Sequence, residues 1–333
     1  MKNYHKMKNI FILAATTLVL ASCDNNNDNP GNAPQPAKIF ATIGESTVSR
    51  ASEAKWAPND KIGISSTVGA VGGPYVNVEY TTAAGDGFFT GTDLFFYKPM
   101  TLTAYYPFNG TEGTVPGVDG LISANTGPDK QTSDIQPTYD FLWDSQSGFT
   151  AADPKVNFTF AHKMSKVTFT FISSESAYNN GVEISKGVDV STMVAYDLEE
   201  LVVDGTFNTT TGVCSVDDDT PEDERGLKME FSKNTVVDKE PMPSLIVFPQ
   251  TLKGGSVTLR IYTDELDPGA PLQEYKCLLA FSSGEIKPGC HYTYSIQVTK
   301  HGLMVGQMSI KGWEEEPDRF MTATIDGDPN FQE

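Results

Sequence analysis

Positive charge is scarce in this sequence. Its 333 residues carry 24 Lys and Arg against 43 Asp and Glu, a formal net charge of −19. No basic cluster stands out, which argues against a surface built to neutralise nucleic-acid phosphates. Helical periodicity is missing as well: no segment holds a 3.6-residue apolar repeat over three turns. Catalytic signatures are absent, with no G-x-S-x-G, P-loop, H-E-x-x-H or G-x-G-x-x-G. Of the 4 histidines only His162, His291 and His301 lie beyond the N-terminal apolar run, and none has a Ser or Cys partner in a recognisable frame. Cysteine numbers only 4, with no C-x-x-C and no Cys/His metal spacing. The reading is therefore of a protein that is not an enzyme, with no cofactor and no metal.

Enough apolar material is present to fold. Hydrophobic residues make up 39% and aromatics 11%, too much for a disordered chain. The length suits about two domains. With 29 Gly and 20 Pro, turns are frequent, which implies many short elements.

The N-terminus reads as an export address. Lys2, Lys6 and Lys8 precede the apolar run Ile10 to Leu20, which is too short for a membrane span of roughly 20 residues and suits a signal peptide. Leu20-Ala21-Ser22-Cys23 looks like a bacterial lipobox, in which Cys23 becomes the lipidated first residue. Residues 1–22 are then the lipoprotein signal peptide. Their removal takes away three Lys and no acid, leaving the mature chain more acidic still. A diacylglycerol on Cys23 attaches the chain to a membrane, each buried CH₂ contributing ~0.8 kcal/mol. Residues 23–36, rich in Asn, Asp, Pro and Gly, read as a flexible tether.

The body alternates with period two. Val167, Phe169 and Phe171 interleave with Lys166, Thr168 and Thr170; Tyr292, Tyr294, Ile296 and Val298 interleave with polar neighbours. Similar strands are expected at 37–43, 61–65, 75–80, 101–106, 156–160, 193–203, 244–248, 257–261, 275–281 and 320–325. Short strands with one polar face imply antiparallel sandwiches. The stretch 107–137 reads as loop. The expected domains are 37–154 and 155–333.

Several residues invite a chemical reading. Cys277 and Cys290 share parity with inward-facing neighbours on strands expected to be adjacent, so a disulfide or two buried thiols both fit. His162, just before a core strand, reads as structural. The acidic run Asp217 to Glu224 lacks the spacing of a calcium loop and reads as solvated. Trp56, Trp143 and Trp313 would make a sugar platform only if exposed together, and their strand-like contexts favour packing.

A series of segments resembles the fimbrillin family of Bacteroidales, including its Mfa-like members. They are Ala37 to Gly44 followed by Ser49-Arg50; Trp56 with Asn59-Asp60-Lys61-Ile62-Gly63; Ala104 to Pro107; Asp129-Lys130-Gln131 with Tyr139 to Leu142; Phe160 to Val167; Ile286 to Gly289 with Tyr292 to Tyr294; and Gly312-Trp313. The resemblance implies two transthyretin-like antiparallel β-sandwich domains in tandem, forming a subunit or accessory adhesin of a type V pilus. It implies transport to the outer-membrane surface as a lipoprotein. There an arginine-specific protease removes the N-terminal strand, and a neighbour's strand fills the groove. The partners implied are other fimbrial subunits, the outer membrane through the lipid, and surface receptors.

On this reading Ile39, Ala41 and Ile43 occupy the pockets of the released strand, and Arg50, the first Arg of the chain, is the processing site. Met321, Ala323 and Ile325 share one parity, so this segment is a candidate donor strand or the last strand of its own domain. The alternative is a monomeric surface lipoprotein that binds glycans.

Overall fold

The computed structural model describes residues 35–44, 55–66, 74–96, 99–150, 152–264, 271–312 and 321–322. Among them there is no α-helix; strands are joined by turns and short 3-10 segments. The all-β class expected from the period-two pattern holds.

Seven strands form the first unit. They are β1 (Lys38–Ile43), β2 (Asp60–Ser66), β3 (Val78–Thr82), β4 (Phe88–Gly91), β5 (Met100–Tyr106), β6 (Leu142–Phe149) and β7 (Lys155–His162). They close on themselves in the order β7-β1-β4-β3-β2-β5-β6, a barrel rather than two stacked sheets. Closure pairs every edge. Alternate residues, among them Ile62, Ile64, Leu102, Phe158 and Phe160, fill the interior.

Eight more strands form the second unit: β8 (Ser165–Ile172), β9 (Met193–Glu199), β10 (Gly226–Glu230), β11 (Leu245–Val247), β12 (Ser256–Thr263), β13 (Gln273–Ala280), β14 (Cys290–Thr299) and β15 (Gly302–Gly312). One sheet runs β11-β8-β14-β15 with Met321–Thr322 at its outer edge; the other runs β10-β9-β12-β13. Their apolar faces share one core, which includes Phe169, Phe171, Tyr196, Leu259 and Ile296.

A third cluster joins the two units: Tyr105, Ile122, Phe141, Met164, Phe207, Ile246 and Phe248. It lies against a small sheet of strands Leu121–Asn125, Asp204–Asn208 and Cys214–Val216. The edge of β11 is closed by a side chain. Gln131 accepts the Ile246 N–H (2.9 Å) and donates to the Ile246 carbonyl (2.9 Å), as a neighbouring strand would. This satisfies buried backbone groups that would otherwise cost free energy.

Three expectations change. The strand at 155–162, placed at the start of the second domain, instead pairs with β1 and β6 and closes the barrel. The stretch 107–137 holds a strand, Leu121–Asn125, paired with Asp204–Asn208. And two pairings are parallel, not antiparallel: β1 with β7, and β8 with β14.

Candidate functional site

The groove holding β1 is the candidate site. The sequence Lys-Ile-Phe-Ala-Thr-Ile turns alternate side chains inward, leaving Ile39 at 0%, Ala41 at 3% and Ile43 at 9% exposure. β1 matches β7 residue for residue in parallel, Lys38 to Ile43 against Lys155 to Phe160. Ladder ends are sealed by Lys38 N–H to the Pro154 carbonyl (2.9 Å) and Gly44 N–H to the Phe160 carbonyl (2.8 Å). On its other side β1 pairs with β4 only at Ile39–Phe89 and Phe40–Phe88.

The middle of the strand is held differently. Trp56 donates its indole N–H to the Ala41 carbonyl (2.8 Å), and the Ala41 N–H donates to the Gly87 carbonyl (2.8 Å). Trp56 is buried and meets Phe89 (5.1 Å), Tyr106 (5.4 Å) and Phe160 (5.4 Å) edge-on. Gly87 sits at φ +82°, and a Cβ there would lie 2.5 Å from the Ala41 carbonyl oxygen. Only glycine permits that approach. Outside the barrel, Phe40 and Phe88 pack 5.1 Å apart, with the Lys155 ammonium 5.2 Å over the Phe40 ring.

Beyond Ile43 lies a cavity of about 360 Å³ whose walls include Lys55, Trp56, Asp60, Tyr106, Asp140 and Lys166. Asp60 accepts the Ala57 N–H (2.6 Å) and the Tyr106 hydroxyl (3.2 Å), while burial pushes its carboxyl above the ordinary range. Lys166, from β8, is buried, so the sandwich contributes to the wall beside the end of β1.

The remaining candidates are structural where described. His162 Nδ1 sits 2.7 Å from Asp140 Oδ1 with its ring buried. Cys277 pairs opposite Leu259 in one sheet, and Cys290 opposite Gly312 in the other. They are not on adjacent strands, and no disulfide joins them. Burial pushes the Cys277 and Cys214 thiols up to about 12, far from thiolate at neutral pH. Trp56 is buried and Trp143 half-buried, its N–H on the Thr209 carbonyl (3.0 Å), so no exposed tryptophan platform exists among the described residues. The acidic run is pinned by Arg225, which donates to the Thr220 and Asp218 carbonyls (2.9 and 3.1 Å). No group of three metal-ligating side chains occurs among the described residues.

Cys23, Arg50, Ala323, Ile325 and Trp313 lie outside the described residues. Met321 pairs with Met308 on β15. Sequence reasoning missed Trp56 and Gly87 as parts of the groove. Trp56 lies fifteen residues from the carbonyl it binds, and nothing in the local pattern links the two.

The family model for fimbrillin-like proteins matches residues 49–313. The chain belongs to the fimbrillin-like family. The matched span leaves out β1 and the segment after residue 313. A candidate fimbrium subunit of Bacteroides uniformis, Fim1C, is 29% identical over 211 residues, covering 59% of this chain and 65% of that protein's length. A crystal structure of a candidate cell adhesion protein from Bacteroides ovatus is 25% identical, with a TM-score of 0.64 over 86% of this chain and 100% of that one. A second such structure, from Bacteroides uniformis, shares the fold at 22% identity, with a TM-score of 0.58 over 84% of this chain and 99% of that one. The fimbrillin-like fold is thus carried by a barrel and a sandwich, each opening on a strand paired in parallel.

Proposed function

We propose that the chain is a structural subunit or accessory adhesin of cell-surface fimbriae that assembles by strand exchange. It is exported as a lipoprotein on Cys23 and displayed at the outer membrane. Cleavage after Arg50 then releases the segment carrying β1, and a strand from another subunit takes its place. As an adhesin it would present its surface to receptors on host or bacterial cells. The observation that supports this reading is the position of β1. It is the first strand of the barrel, it fills a groove between β7 and β4, and the chain that follows it from Gly44 carries Arg50 before β2 begins at Asp60. Losing two buried isoleucines would cost roughly 1.5–3 kcal/mol each, so the emptied groove favours refilling.

The test is the N-terminal residue of protein recovered from cells, together with treatment of the purified chain by an arginine-specific protease. An Arg319→Lys background keeps the C-terminal segment attached during digestion. Polymers should begin at Ala51, anchored molecules at modified Cys23, and Arg50→Ala should stay monomeric. Cut chains that never form ladders, or ladders formed equally by Arg50→Ala, would sink the proposal.

A further inference from the structure

The outer face of β1 is unlike the rest of the surface. β7, β1 and β4 are neighbours in the barrel, so their outward side chains form one continuous face. Two of those positions hold lysine, Lys38 and Lys155, and two hold phenylalanine, Phe40 and Phe88; the others are Thr, Asn or Ala, and all are exposed. No acid stands among them, in a chain with 43 Asp and Glu. Acids appear only at the borders. Asp86 accepts the Phe88 N–H (3.0 Å), Asp144 accepts the Thr159 N–H (2.7 Å), and Asp153 lies in the turn before β7.

The groups on this face are poorly served by the protein itself. Lys38 stands directly opposite Lys155 in the ladder, and no acid among the described residues pairs with either. Like charges placed opposite one another cost stability. Phe40 and Phe88 pack 5.1 Å apart yet stay 36% and 42% exposed. Paired rings flanked by lysines suit a boundary between apolar and polar media. There aromatic side chains lie among lipid headgroups, and lysines reach the phosphates.

Resting on the lipoprotein reading, we infer that this face lies on the membrane that holds the Cys23 lipid, with Phe40 and Phe88 in the headgroup layer and Lys38 and Lys155 on lipid phosphates. The chain from Asp24 to Ala37 reaches at most roughly 50 Å and joins the barrel at Lys38, on this face. The lipid thus holds the face at high effective concentration over the bilayer, so that a weak contact suffices. The rest of the surface carries the acidic excess and is repelled by anionic lipid, which turns the acid-free face toward it. Lys38 and Phe40 belong to β1, so loss of β1 would dismantle the face as it severs the lipid.

The test uses the full lipidated chain in vesicles of phosphatidylethanolamine and phosphatidylglycerol with brominated acyl chains, which quench tryptophan on contact. Phe88→Trp puts a reporter on the face. Tyr178→Trp puts one on the exposed hairpin of strands Ala177–Asn179 and Val182–Ser185 in the sandwich. With the wild-type signal subtracted, the Phe88→Trp reporter should lose roughly half its emission and the Tyr178→Trp reporter almost none. Adding Lys38→Glu with Lys155→Glu, or Phe40→Ser alone, should cut that quenching about threefold. These positions are exposed, and an unchanged melting temperature checks that the fold is kept.

Equal quenching at the two reporters, or quenching that survives both sets of substitutions, overturns the inference. A reporter that is quiet on vesicles but shielded from acrylamide on whole cells assigns the face to a protein partner and overturns it as well. A mature chain whose mass shows no lipid on Cys23 overturns the anchoring reading, and this inference with it. A lipidated chain without quenching overturns this inference alone.

Discussion

Barrel and sandwich both open on a strand laid parallel to a late strand of its own unit, yet the two strands are held in different ways. β1 finds six partners on β7 and two on β4. β8 finds seven on β14 and three on β11, and beyond β11 it accepts from Met242 N–H (2.8 Å) and Lys239 N–H (2.9 Å). β8 also follows β7 after two residues, Lys163 and Met164, so it is tied into the chain at both ends. β1 is no less buried: Ile39 and Phe171 are both at 0% exposure. What separates them is topology. On the strand-exchange proposal one cut after β1 would free it, whereas β8 stays joined to its neighbours at both ends.

The largest effect should come from β8. Phe169 stacks with Phe171 and Tyr294 and meets Tyr196 edge-on. Phe169→Ala should cost about 3–5 kcal/mol, read as a drop in the denaturation midpoint of the sandwich. Ile39→Ala should cost about 2–4 kcal/mol, but its effect should stay within the barrel. Hydrogen exchange separates the cases. Amides of β1 should exchange faster in Ile39→Ala while those of β8 and β14 keep wild-type rates. Equal acceleration in both units would break the comparison, because it would make the barrel and sandwich one cooperative body.

Trp56→Phe keeps most of the aromatic packing and removes the N–H that holds the Ala41 carbonyl. The expected cost is about 1 kcal/mol. It should appear as faster exchange at β1, and again not at β8. A Trp56→Phe chain with unchanged exchange at Ala41 would show that the Gly87 carbonyl and the β7 ladder hold the strand without the indole.

The parts of this architecture legible in sequence were those written in local alternation. Strands such as 38–43 and 155–162 carry clean period-two patterns because one face of each enters a core. β15, the longest strand, carries no such pattern. Its pairing with β14 slips between Tyr294 and Ile296, which breaks the alternation. Gly306 lies at that slip, where a Cβ would stand 3.2 Å from the Ser295 carbonyl oxygen. β6, with Asp144, Ser145, Gln146 and Ser147, is a strand by pairing with β5 rather than by apolar content. Closure into a barrel and the parallel placement of β1 and β8 are long-range choices that no window of sequence contains. Of the site, the three inward residues of β1 were readable; the indole that grips its backbone was not, since a hydrogen bond to a carbonyl leaves no trace in side-chain pattern.

The smallest effect concerns charge, and here the two units should differ in sign. Burial raises the carboxyl pKa of Asp60 in the barrel and of Asp197 in the sandwich. Asp60 uses both oxygens, one on the Ala57 N–H and one on the Tyr106 hydroxyl. Asp197 Oδ1 is buried without a hydrogen-bond partner, and Glu199 adds repulsion against the attraction of Lys228 and Arg260. A raised folded-state pKa means that ionisation works against folding. Stability is therefore lost as pH rises from the ordinary value of 3.8 through the raised one. Asp197→Asn removes that loss, so it should stabilise the sandwich at neutral pH by at most about 1 kcal/mol. The gain should vanish below the ordinary value, where the wild-type carboxyl is already neutral. Asp60→Asn should instead destabilise at neutral pH, because an amide nitrogen cannot accept from the donor it would face. Urea denaturation of both variants at pH 7 and pH 3 checks the pair. A destabilised Asp197→Asn at pH 7 would mean that the attraction of Lys228 and Arg260 outweighs burial.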